Sequence, residues 1–149
     1  MTPSEFIVST KASIDKVAKA LADSEGIGYV DLDDTAQAEA LFSTQNTAIV
    51  LEFNVMEESP SDPMYQGVFN IGVRTVQDPA NYATLLLVGK LKGIFPKSGR
   101  IALTDAYKPA ETGEIGTLLP MESRVIPNQY DMASGIRLVQ IPFHALRWV

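Results

Sequence analysis

An α+β fold, with a mainly antiparallel sheet containing a hairpin and packed against two principal helices, is predicted by three features of the sequence. These are a well-marked helix start at the N-terminus, two successive runs of alternating apolar and polar residues, and a second helical segment after them. Thr2-Pro3-Ser4-Glu5 combines an N-cap threonine, a proline at the first helical position and a glutamate three residues after the cap. Ile14, Val17, Ala18 and Leu21 follow at helical spacing, Lys11, Asp15 and Lys19 are placed for i,i+4 pairing, and Gly26 and Gly28 end the segment. Asp31, Asp33 and Asp34 cap a short helix running from about Thr35 to Phe42.

From Ala48 the period changes to two. Ile49, Leu51, Phe53 and Val55 point one way and Glu52 and Asn54 the other, as in a half-buried strand. Met64 to Val76 repeats the pattern, with Tyr65, Phe69, Ile71 and Val73 opposite Gln66, Asn70 and Arg74, so the two strands should pair as a hairpin. The connection from Glu57 to Pro63 carries three carboxylates and two prolines and is expected in solvent. Asp78-Pro79 reads as another N-cap and first helical residue, followed by a stripe of Tyr82, Leu85, Leu86, Gly89 and Gly93 whose glycines suggest close packing on the sheet. Lys90, Lys92 and Lys97 suit the C-terminal end of that helix. Arg100 to Tyr107 reads as a short strand and Lys108 to Pro120, with Gly113 and Gly116, as a long loop. In the last strand region, Gly135 to Trp148, Ile136 and Leu138 have one parity and Val139, Ile141 and Phe143 the other. That predicts a bulge or bend, and Pro142 predicts an edge position.

Composition narrows the function classes. A chain of 149 residues suits a single domain, 1–149, with no linker or repeat. Cysteine is absent, so disulfides and thiolate metal sites are excluded. The apolar run Leu85 to Val88 is far short of the roughly 20 residues of a membrane span, and Met1 to Glu5 lacks the pattern of a secretory signal. A formal net charge of −6 repels phosphate backbones and disfavours sequence-independent DNA binding.

No motif points to catalysis, a cofactor or a metal. His144 is the one histidine, so a multi-histidine zinc site is impossible and a packed or surface role is expected. The aspartates from Asp31 lack a calcium loop's glycine and terminal glutamate, since Ala36 and Phe42 stand there. Ser13-Ile14-Asp15-Lys16 has the serine-to-lysine spacing of β-lactamase-type acylases without the accompanying elements. Gly26-Ile27-Gly28 has Asp31 where a dinucleotide fingerprint needs its third glycine. Glu57, Glu58 and Asp62 read as a solvated loop tip.

Three segments together resemble a known family. The strand Gly67-Val68-Phe69-Asn70-Ile71-Gly72-Val73, the helix closing on Ile94-Phe95-Pro96-Lys97-Ser98-Gly99, and the final strand Val139-Gln140-Ile141-Pro142-Phe143 resemble, in order, the tail terminators of long-tailed bacteriophages (siphophages). The resemblance covers about half of the chain, and Lys108 to Pro120 and Met121 to Ser134 match nothing in it. It implies a non-enzymatic structural protein of the virion, assembled in the host cytoplasm and placed at the tail-neck junction. There a hexameric ring would cap the tail tube, stop its growth and present the surface for head docking.

The implied partners are further copies of the chain, the tail tube protein and a head-side connector or stopper protein. DNA would pass through the channel without specific binding, and neither membrane nor cofactor is involved. A ring needs a heterologous interface. Candidate contact residues are Glu57, Glu58 and Asp62 in the acidic loop and Glu114, Leu118 and Leu119 in the long loop, with Arg74, Arg100 and Arg124 as charge partners; solvated surface is the plain alternative for each. Competing readings are a head-side stopper or other neck or tail-completion subunit, and, in another class, a small hydrolase or ligand-binding domain.

Overall fold

The computed structural model describes residues 1–59, 64–75, 82–108, 113–125 and 136–148, so Asp62 and the expected cap Asp78-Pro79 lie outside the described residues. The described elements are α1 (Pro3–Glu25), β1 (Gly28–Asp31), α2 (Thr35–Thr44), β2 (Thr47–Glu58), β3 (Met64–Thr75), α3 (Tyr82–Ile94), β4 (Ile101–Thr104), β5 (Glu114–Pro120), β6 (Arg124–Val125) and β7 (Ile136–Arg147). This is an α+β fold built on one sheet. Among the described residues no helix is long and apolar enough to cross a membrane.

Helix α1 starts where its residues require it. Thr2 Oγ1 accepts from Glu5 N at 3.2 Å while the Glu5 carboxylate accepts from Thr2 N at 2.7 Å, so two otherwise orphaned donors are satisfied reciprocally. The helix ends at Gly26, whose φ of 68° is the left-handed conformation that glycine adopts without a Cβ penalty. Phe6, Ile14, Ala18 and Ala22 are buried, with Val17 and Leu21 half-buried beside them, which is the expected stripe extended by one aromatic anchor.

The sheet runs β1-β2-β3-β7-β5-β4, with β6 paired to β7, and every pairing is antiparallel except that of β1 with β2. β2 and β3 form the expected hairpin. β1 was not foreseen from the sequence: four residues are too few to show a period. Helices α1 and α3 cover one face, here called the inner face, over a core that includes Phe69, Ile71, Val139 and Ile141. Helix α2 covers part of the outer face through Ala38, Leu41 and Phe42 against Val30, Val50 and Leu138.

α1 also ties the two edge strands. On one side, Ser9 Oγ accepts from Ala106 N at 3.0 Å and Ser13 Oγ from Thr104 N at 3.2 Å, covering outward-facing donors at the end of β4. On the other, Lys11 donates to Asp31 at the end of β1 and Tyr29 Oη donates to Asp15. Positions 9 and 13 lie about 200° around the helix from 11 and 15, so the sheet curls until both of its edges reach the same helix.

Several sequence expectations are corrected. β7 is continuous: Ile136 and Leu138 pack on the outer face against α2 while Val139, Ile141 and Phe143 pack inside, so the change of parity reflects two cores and no bulge. Pro142 lies in a central strand. Its carbonyl accepts from Met121 N at 2.8 Å, so its missing N–H faces the same side, in the gap between the pairings with β5 and β6, and the ladder to β3 is intact.

Register shifts occur instead in β2, between Phe53 and Val55, and in β4, between Leu103 and Thr104; the first of these is a bulge that bears on the outer face. The β2 bulge leaves Phe53 and Met56 inside and turns Val55 outward, half exposed, against the uniform alternation expected there. The stretch expected as a loop up to Pro120 contains β5, a strand paired on both sides. Gly116 suits it because a Cβ there would come within 2.3 Å of the Leu146 carbonyl oxygen.

Helix α3 packs on the opposite stripe from the one expected. Thr84, Leu87, Val88 and Leu91 are buried, whereas Tyr82, Leu85 and Leu86 are 79%, 55% and 62% exposed, and Gly89 and Gly93 face open space. The helix is apolar almost all round, so either stripe satisfies the period, and Phe95, just past its end, selects the buried one by packing edge-on against Phe69 at 5.0 Å.

Candidate functional site

Two features stand out from the packed framework: a polar cluster between α1 and β1, and an open groove on the outer face of the sheet. In the cluster, Lys11 Nζ donates to Asp15 at 3.1 Å and also to Asp31, while Asp15 accepts from Tyr29. Burial alone would lower the Lys11 pKa, but the bonds to Asp31 and Asp15 outweigh it and hold the ammonium above its ordinary range. Burial first, and then the bond to Asp15, raises the Tyr29 hydroxyl far above the usual tyrosine value. These groups satisfy one another and join helix to sheet edge.

The groove, of about 270 Å³, is built by strand register. Val55, Val68 and Pro142 are cross-strand neighbours in one row, with Met121 hydrogen-bonded at its end. Glu57, Gln66, His144 and Leu119 form the adjacent row. The β2 bulge supplies Val55 to this surface, and Gly67 permits the close approach, since a Cβ there would lie 2.5 Å from both the Phe143 ring and the Val55 carbonyl oxygen. The result is an apolar floor rimmed by Glu57, Gln66 and His144. Its volume falls below the roughly 300–1,000 Å³ of small-molecule sites, and it is open along its length, which suits protruding side chains of a protein better than an enclosed ligand.

The candidate contact residues fall into three groups. Glu57 and Glu58 are exposed at the end of β2, Glu57 lining the groove and Glu58 accepting from Tyr65 Oη at 3.2 Å. Burial is the leading reason that the Tyr65 pKa is raised, and Glu58 adds to the rise while Arg147 opposes it. Arg100 and Glu114 are exposed, and exposed Arg124 donates to Gln140 at 3.2 Å.

The other arginine and Leu118 are committed inside the fold, and Leu119 lies half-buried in the row beside the groove. Arg74 donates to the Phe42 and Gln45 carbonyls at 3.3 and 3.1 Å and lies 4.3 Å from the Phe42 ring centroid, so it fastens α2 to the sheet. Leu118 is fully buried in β5 and is no surface contact, and Leu119 is half-buried beside His144. Both leucines were misplaced because Gly113 and Gly116 read as loop.

The serine-to-lysine motif is accounted for. Buried Ser13 donates to the Ser9 carbonyl at 2.8 Å and accepts from β4, and Lys16 is exposed. Among the described residues no three His, Asp or Glu side chains gather as a metal site. The exposed α3 stripe is the surface that sequence reasoning missed, and the signal available was the helix's apolarity on every side. Compared with known proteins, the chain matches no family model, no curated protein and no solved structure.

Proposed function

We propose that this protein is a structural assembly subunit of a phage virion, a tail terminator that caps the head-proximal end of the tail tube, stops its polymerisation and offers the head a docking surface, working as a hexameric ring. The observation that carries the reading is the convergence of the three segments that resemble the family. β3 and β7 pair in register, with Phe69 opposite Ile141, and Phe69 packs against both Phe95, at the close of the α3 segment, and Phe143 of β7, at 5.0 and 5.8 Å. The motifs therefore form one contiguous unit of the core, as parts of a shared fold would. The exposed apolar face of α3 adds support, because a ring subunit must present such surface to a neighbour. The net charge of −6 suits a channel through which DNA slides.

Removal of the gene from its phage tests the reading. Tubes of unregulated length are the expected result. Tails of normal length beside leaky heads would transfer the protein to the head-side stopper role and overturn the terminator assignment.

A further inference from the structure

Charge is unevenly distributed along this chain. Between Lys19 and Arg74 there is no Lys or Arg but ten Asp and Glu, whereas residues 82–108 hold Lys90, Lys92, Lys97, Arg100 and Lys108 against the single acid Asp105. The fold places much of these two stretches on opposite faces of the sheet: α2 and the outward side chains of β2 on the outer face, α3 on the inner. Glu25, at the end of α1, reaches Lys90 within the molecule, but the acids on the outer face lie across the sheet from α3.

The surfaces also match in shape and polarity. At 100° per residue, Leu85, Gly89, Tyr82, Gly93 and Leu86 span one sector of α3, and Lys92 and Lys90 stand on its two sides. The exposed leucines and tyrosine protrude, and the open glycines leave the helix surface low between them. On the other side of the sheet lies the groove floored by Val55, Val68, Met121 and Pro142 and rimmed by Glu57. An apolar ridge with Lys92 at its side thus faces one way and an apolar groove with Glu57 on its rim the other.

We infer that the α3 ridge of one copy docks into the β2-β3-β7 groove of a second copy of this chain, a head-to-tail contact that uses two different patches and so propagates around a ring. Lys92 then approaches Glu57 of the neighbour. The inference rests on the assembly reading above and names its interface.

Analytical ultracentrifugation of the full chain, over a wide concentration range, tests it with two exposed-site variants, Leu86→Asp on the ridge and Met121→Lys in the groove. Thermal melts check that both remain folded. Each alone should weaken self-association by at least about 30-fold, as expected at an interface hot spot. Mixed one to one, they should form dimers, since one variant keeps an intact groove and the other an intact ridge.

A mixture that stays monomeric overturns the contact, as does wild-type-like assembly of either variant. Loss of assembly in Leu86→Asp alone means a symmetric α3 contact and also overturns it. A wild-type monomer whose binding to tail tubes is lost in Leu86→Asp gives the ridge to the tube protein instead. Failure of the terminator reading looks different: rescued pairing with open-ended chains and normal-length tails keeps the contact and discards the reading, whereas rings that survive both variants keep the reading and discard the contact.

Discussion

Helices α1 and α3 cover the same face of the same sheet, yet they are held in different ways. α1 is fixed all along its length by a reciprocal N-cap, a buried apolar stripe, and polar side chains bonded to both edges of the sheet. α3 is fixed by one apolar stripe, by Phe95, by the hydrogen bond between the Thr84 and Thr75 hydroxyls and by the exposed pair of Lys90 Nζ with Glu25 Oε1 at 2.6 Å, and it turns a second apolar stripe outward. A helix that bonds to both edges of its own sheet is committed to its own fold. One that leaves leucines in water retains free energy to release on association, about 25 cal/mol for each Å² of apolar surface covered.

The sharpest way to break this comparison is to exchange burial for cavity on α3. Leu91→Ala should cost about 2–5 kcal/mol in chemical denaturation, whereas Leu86→Ala should stay within about 0.5 kcal/mol in the monomer. Equal losses would mean that the two stripes are not distinct. Next in size, Ser13→Ala should cost about 1–3 kcal/mol by leaving the Thr104 amide without its acceptor, and hydrogen exchange at that amide should accelerate selectively.

The polar cluster of α1 gives a pH effect. Both Lys11 and Tyr29 have folded-state pKa values raised above their unfolded values of about 10, so the stability they contribute is fully present at neutral pH and is lost as pH rises past that point. Denaturation above about pH 10 should therefore be steeper for the wild type than for Tyr29→Phe. Parallel curves would mean that the cluster does not titrate with unfolding. The smallest effect has the opposite sign. Gly89→Ala should stabilise the monomer by about 0.4–1 kcal/mol, because the helical backbone suits alanine and nothing lies within 4 Å of the new methyl group; destabilisation would restore the close-packed reading of that face.

The candidate surfaces were partly legible in the sequence. Glu57 could be placed at an exposed hairpin end from its neighbours, because a stretch rich in carboxylates and proline is costly to bury. The groove that it rims could not, because it needs the β2 bulge to turn Val55 outward and a register that brings Pro142 and His144 beside Val68 and Gln66. Leu118 and Leu119 were misassigned for a related reason: Gly116 loosens a loop in isolation but serves in β5 as the point where the strand's backbone passes close to a carbonyl of β7.

By itself the sequence determined the elements whose signals are local: the capped start of α1, the hairpin of β2 and β3, the short helix after Asp34, and the α+β class that follows from their order. Tertiary structure alone decided which stripe of α3 is buried, that Pro142 occupies a central strand, and that β1 and β4 meet the same helix. Caps and alternation are fixed by bonds and steric preferences within a few residues. The choice between two equally apolar faces, or of a neighbour for a strand edge, is fixed by partners distant in the chain, and single-sequence patterns contain no term for them.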